Sequence, residues 1–207
     1  MINTQTVERL VMYNRALKTL EKSGEKWVTS TRLAGTLAKS PAQVRKDLSL
    51  VGKMGKPGVG YNTRSLRKDL DRIIGLDRDW GVAIIGAGNL GKALFRYPGF
   101  RREGFRFLAV FDSDPKKIGK KWGDVRIRAS GEIVSRLRAG DIKIAVIAVP
   151  AAAAQKAADS IIESGIREIL NFAPVALNVP EGVNVRNADL AFEMENLTFF
   201  LCGRERL

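Results

Sequence analysis

The chain has 207 residues, 45% of them hydrophobic and 28% charged, a globular composition long enough for one large domain or two small ones. Its formal net charge of +13 points to a polyanionic partner. With no histidine and one cysteine, Cys202, it lacks the commonest acid–base group and nearly every donor for a metal centre, so no metal is expected and catalysis is disfavoured.

No apolar run approaches the roughly 20 residues of a membrane span; the longest, 142–154, is broken by Lys143 and Pro150. At the amino terminus Val7, Leu10 and Val11 alternate with Glu8 and Arg9, which reads as no export signal. With a lone thiol besides, a cytoplasmic location is expected.

The first 80 residues carry helical periodicity. Val7, Leu10, Val11, Asn14, Leu17 and Leu20 keep a three/four spacing, and Gly24 follows as a stop. Ser30 or Thr31 is expected to cap a short second helix through Leu33, Leu37 and Ala38. Ser40 with Pro41 behind it starts a third, whose Val44, Leu48 and Val51 face inward. The glycine-rich stretch 52–61 reads as a tight basic β-hairpin. Three helices and a basic hairpin make a winged helix-turn-helix over residues 1–79. Within 30–68, nine cations (Arg32, Lys39, Arg45, Lys46, Lys53, Lys56, Arg64, Arg67, Lys68) stand against one acid, Asp47: nine minus one, or +8. So local an excess is the footprint of a phosphate-backbone surface, although solvated basic helices also give it.

From Trp80 the pattern becomes alternating strands and helices, a doubly wound parallel sheet over 80–186. Strands are expected at 82–85, 105–112, 142–149 and 167–172, with helices after the first and third. Gly86, Gly88 and Gly91 form G-x-G-x-x-G between a strand and a helix. The first glycine permits a tight turn, the second lets backbone approach a pyrophosphate, and the third lets helix pack on strand. Ala87, Asn89 and Leu90 complete this loop, whose helix amino terminus offers free N–H groups to the pyrophosphate. Asp112 lies 112 − 91 = 21 residues beyond the last glycine, where a carboxylate accepts ribose hydroxyls and repels a 2′-phosphate. Ser113 and Asp114 follow, and the cofactor expected is NAD(H). A glycine-rich turn that binds nothing, or a coenzyme A site, remains an alternative.

The cofactor's far end falls to later strand ends: Val149 and Pro150, then Asn171, Phe172 and Ala173, with Tyr97 beyond the glycine-loop helix. Asn171 has the chemistry to bond a carboxamide, although turn-forming is the commoner role for asparagine. The tail 187–207 is apolar, with Leu190, Phe192, Met194, Leu197, Phe199, Phe200 and Leu201, and reads as a helix packing on a partner subunit. An ordinary core helix is the alternative. Cys202 reads as a buried terminal residue. A small dehydrogenase is a rival reading, but a basic head of about 80 residues leaves no room for a substrate domain.

Val44-Arg45-Lys46-Asp47-Leu48-Ser49, Gly58-Val59-Gly60-Tyr61, the glycine loop, Tyr97-Pro98-Gly99-Phe100 and Asn171-Phe172-Ala173-Pro174 together resemble the Rex family of bacterial redox-sensing repressors. The resemblance runs over essentially the whole chain. It implies a homodimer with exchanged carboxy-terminal helices on a palindromic operator in double-stranded DNA, released when NADH binds. By position, Arg45, Lys46 and Ser49 look like recognition-helix contacts, with Ser40 and Gln43 on the same helix. Lys53, Lys56, Gly58 and Tyr61 look like the wing, with Lys56 and Gly58 in the minor groove. Arg15, Tyr97 and Asp189 match the family's inter-subunit switch. The sequence departs at Pro57, where many members carry arginine, and at Leu190, where some carry phenylalanine.

Overall fold

The computed structural model describes residues 2–205, excluding the side chains of Phe200 and of 202–205; the Cys202 reading falls outside the described residues. The chain divides into two compact units, Met1–Arg78 and Asp79–Leu207.

The first unit opens with α1 (Thr4–Lys22), capped by Asn3, whose side chain accepts the Thr6 N–H. Its buried Leu10, Tyr13, Leu17 and Leu20 form one core with Val28, Leu33, Val44, Leu48, Leu66 and Leu70. The second helix, α2 (Ser30–Gly35), is capped by Thr29, one residue before the expected Ser30 or Thr31, and Thr29 Oγ1 accepts the Arg32 N–H at 3.1 Å. It ends before Leu37 and Ala38, the latter at φ +50°. Ser40 caps α3 (Pro41–Leu50), as its sequence dictates, with Pro41 in the first turn.

The wing differs from the expected hairpin. Strand β1 (Trp27–Val28), which precedes α2, pairs antiparallel with β2 (Tyr61–Asn62). Inside 52–61 the backbone pairing is a bridge between Lys56 and Gly60 that closes a turn. A two-residue strand has too short a period to read, so the true partner was invisible. Helix α4 (Thr63–Ile73) also escaped notice, because Leu66 and Leu70 are its two buried aliphatic side chains.

The second unit is a seven-stranded sheet of order β5-β6-β4-β3-β7-β8-β9. Its strands are β3 (Trp80–Ile85), β4 (Phe105–Asp112), β5 (Lys121–Trp122), β6 (Val125–Ala129), β7 (Ile142–Ile147), β8 (Glu168–Asn171) and β9 (Asn184–Asn187). All neighbours run parallel except β5, antiparallel to β6. The sequence showed β3, β4, β7 and β8; the edge strands carry Lys121, Arg126, Arg128 and Arg186, which dilute the apolar signal. Strand β7 stops at Ile147, so Val149 lies in the loop beyond it. Asn187 belongs to β9, so the tail helix starts later, as α9 (Leu190–Glu205).

One sheet face packs under α7 (Ile133–Arg138) and α8 (Ala151–Glu163) through Ile133, Leu137, Ala154, Ala158 and Ile161. The other carries α5 (Asn89–Arg96) and α6 (Pro98–Arg102), whose Leu94, Phe95 and Phe100 meet Phe105 and Phe107. Beside them Val146, Leu170 and Phe172 line an open, wholly apolar cavity of roughly 210 Å³.

Candidate nucleotide site and nucleic-acid interface

The glycine loop joins β3 to α5 at the carboxyl end of the central strands, where the chain crosses from β4 on one side of β3 to β7 on the other. Ligands of doubly wound sheets bind at such a reversal. Gly86 sits at φ +110°, and a Cβ there would lie 2.3 Å from the Ala148 carbonyl oxygen. Gly91 is tighter: its Cβ would lie 2.1 Å from the Gly86 carbonyl oxygen, so α5 approaches the loop as only glycine permits. Gly88 precedes the first turn of α5, and Asn89 and Leu90 in that turn are exposed.

Asp112 ends β4 and is buried beside this loop. Its Oδ2 accepts the Ala87 N–H at 2.7 Å and Lys117 Nζ at 3.0 Å, and its Oδ1 accepts the Asp114 N–H at 2.8 Å. Burial pushes this carboxyl up, but the bonds from Asp114, Lys117 and Ala87 outweigh it and hold it below the usual carboxylate range. Asp112 thus shapes the loop. Lys117 was missed, because nothing in a loop sequence tells which way the chain turns after a strand.

At the far side, Val149 and Pro150 lead into α8, with Val149 packed beside Gly86. Asn171 is fully buried and turn-forming: its Nδ2 donates to the carbonyls of Ala173 and Val175 and to Asn187 Oδ1, and its Oδ1 accepts the Ala173 N–H. Its amide therefore fixes the Phe172–Ala173 loop. Tyr97 is 60% exposed with its ring edge-on to Phe100, whereas Ser113 is exposed beyond Asp112. Asp189 caps α9 by accepting the Ala191 and Phe192 N–H groups. Arg15 is exposed on α1 of the other unit.

The basic block of the first unit sorts into two sets. Arg32 pairs with Glu25, Lys53 with Asp69, Arg64 with Glu21, and Arg67 with both Glu21 and Asp71. Arg45, Lys46 and Lys56, together with Lys39 and Lys68, are exposed and, among the described residues, have no acidic partner. Arg45 Nη1 donates to Ser30 Oγ at 3.0 Å, and Lys56 Nζ stands 5.7 Å over the Trp27 ring. Gly58 and Pro57 are exposed in the wing turn, and Ser49 bonds back to the Lys46 carbonyl. Tyr61, expected at the DNA face, is buried in the unit's core, and Lys53 is held by Asp69.

Gln43 has its amide committed to Asp47, at 2.8 Å. Asp47 is fully buried on α3 and also accepts two bonds from the Arg9 guanidinium, at 2.6 and 2.8 Å, and one from the Tyr13 hydroxyl at 2.8 Å. Burial alone would raise its carboxyl; Arg9, Tyr13 and Gln43 together hold it below the usual range. Burial and Asp47 push the Tyr13 hydroxyl up. This network fixes α3 against α1. Asp47 was visible as the one acid of the block, but its partners lie 34 and 38 residues upstream.

A winged helix-turn-helix with unneutralised cations on its third helix and wing, followed on one chain by a dinucleotide-type crevice, defines a nucleotide-responsive DNA-binding regulator. Residues 1–49 match the putative DNA-binding protein N-terminus family and 77–175 the CoA binding domain family. The chain is 43% identical over 201 residues to the redox-sensing transcriptional repressor Rex of Desulforamulus reducens, covering 97% of this chain and 96% of that protein. Against Rex of Chloroflexus aurantiacus the identity is 44% over 199 residues, 96% and 94% of the two chains. A solved structure of RSP in complex with β-NAD+ and operator DNA superposes with a TM-score of 0.94 at 33% identity, covering 99% of this chain and 94% of that one. RSP in complex with β-NADH gives 0.87 at 32%, covering 99% and 96%. The chain belongs to the Rex family of redox-sensing transcriptional repressors, whose members are not enzymes despite the dehydrogenase-like sheet. Among the described residues no helix is long and apolar enough to cross a membrane.

Proposed function

We propose that this protein binds NAD(H) in the crevice at Gly86–Gly91 and Asp112, holds a palindromic operator as a homodimer while the cofactor is oxidised or absent, and leaves the DNA when NADH binds. The reading rests on one observation: α3 and the wing carry exposed cations that have no acidic partner among the described residues, on the same chain as the glycine-loop crevice. Arg45, Lys46 and Ser49 face DNA from α3, and Lys56 and Gly58 from the wing, where Lys56 takes the place of the absent arginine at Pro57. A protein of this kind works in the cytoplasm, beside the chromosome and the NADH pool.

The two cofactor forms differ by one positive charge on the nicotinamide ring. A closed state preferring the neutral ring a hundredfold needs about 2.7 kcal/mol, within reach of one desolvated charge. Arg15, Tyr97 and Asp189 carry that preference between subunits. A gel-shift titration at fixed salt tests the whole reading: NADH is expected to release the operator and NAD+ to leave it bound. Failure of NADH to release DNA overturns the sensor, and affinity for coenzyme A alone overturns the NAD(H) site.

Arg45→Ala is expected to lower operator affinity about tenfold to a hundredfold, the value of one base-reading side chain, with NADH affinity unchanged. Equal operator affinity in a fluorescence-anisotropy titration removes Arg45 from the recognition surface.

Helix α9 exposes Leu190, Phe192, Met194, Leu197 and Leu201. The open cavity at Val146, Leu170 and Phe172 is an apolar acceptor on the same unit. Exchange of α9 between two copies covers both surfaces, which is why the protein is assigned as a homodimer. Deleting residues 190–207 is expected to give a monomer by sedimentation; a dimer that survives the deletion rules out the exchange.

A further inference from the structure

An ionised carboxylate offers about four lone-pair positions. On Asp112, three are filled by Ala87 N–H, Lys117 Nζ and Asp114 N–H. One position therefore remains for a ribose, where an unoccupied carboxylate would accept both hydroxyls. Lys117 comes from the loop between β4 and β5 and reaches back to the end of β4 at 3.0 Å, with Lys116 and Lys120 exposed on that loop. Its ammonium keeps further hydrogens beyond the one it gives Asp112. The negative charge that repels a ribose 2′-phosphate in such crevices is thus partly neutralised, and a cation stands 3.0 Å from the carboxylate that would exert that repulsion.

Building on the NAD(H) reading of this crevice, we infer that Lys117 is a specificity-determining residue: the Asp112–Lys117 pair, and not Asp112 alone, sets how strongly the 2′-phosphorylated nucleotide is discriminated against. Removing the ammonium penalises a ligand with two extra negative charges far more than one without them.

The test is a fluorescence titration of the full-length protein with NADH and with NADPH, in wild type, Lys117→Gln and Lys117→Arg. The ratio of NADPH to NADH dissociation constants is expected to widen about tenfold in Lys117→Gln, the size left after solvent screening of a partly exposed charge. Lys117→Arg, which keeps the charge, is expected to hold the wild-type ratio. An unchanged ratio in Lys117→Gln, or an equal loss for both nucleotides, overturns the assignment, since a merely structural lysine would weaken both alike. A wild type that binds NADH but shows no measurable NADPH affinity overturns it as well. A wild type that binds neither removes the crevice reading itself, a result distinct from NADH binding with an unaltered ratio.

Discussion

Asp47→Asn will destabilise the amino-terminal unit by about 3 kcal/mol, because it strands a guanidinium against a neutral amide in a buried network. Asp47 accepts four hydrogen bonds, from Arg9, Tyr13 and Gln43, and an asparagine oxygen cannot accept them all while its own N–H₂ group faces donors. For a unit of this size the melting temperature falls by roughly 15 °C. Operator affinity falls with it, although Asp47 itself never reaches DNA, because α3 loses its anchor on α1. The nucleotide crevice lies in the other unit, and NADH affinity is expected to survive. The same carboxyl makes stability depend on pH. Its folded-state value lies below the unfolded one, so the stabilisation is complete at neutral pH and drains away as pH falls through and below the ordinary carboxylate range. The variant should lack that acid limb. Circular dichroism melts of both proteins from pH 7 downward check this, and coincident melting curves would refute the anchoring role.

Gly91→Ala will separate the two halves of the mechanism. A methyl group 2.1 Å from the Gly86 carbonyl oxygen and 3.2 Å from Ile84 Cγ2 has nowhere to go, so α5 must retreat from the loop. Overpacking of this kind costs roughly 1–3 kcal/mol, and here the displacement falls on the N–H groups at the start of α5, proposed above to receive the pyrophosphate. NADH affinity is expected to drop at least about a hundredfold, or 2.7 kcal/mol. The variant should then remain on its operator at NADH concentrations that release wild type, a repressor that no longer hears its signal. NADH release of Gly91→Ala at wild-type concentrations would show that the glycine loop is not where the signal enters.

Much of this was legible without coordinates, for identifiable reasons. Ser40-Pro41 announces a helix start through capping chemistry that acts within four residues, and the third helix begins there. The glycine triplet and Asp112 were readable because a fixed local turn demands them at fixed spacing, and they come together across the β3–β4 pairing. The wing was half-legible: its basic turn showed, but the strand that pairs with Tyr61 and Asn62 comes from Trp27 and Val28, too short to carry a period. Tyr61 looked like part of the wing's DNA face because a strand's inward and outward sides cannot be told from two residues.

What the sequence determined by itself is whatever short-range chemistry writes: the basic head, the parallel sheet, the phosphate loop, and the absence of histidine. What only the tertiary structure decided is which of those charges are already answered. Nine cations crowd residues 30–68, yet folding neutralises Arg32, Lys53, Arg64 and Arg67 with acids from outside that stretch, leaving Lys39, Arg45, Lys46, Lys56 and Lys68 without one among the described residues. Asp112 was legible as an acid at a strand end; that Lys117 answers it was not. Ion pairs depend on distances of a few ångströms between residues far apart in the chain, and no local pattern records those distances.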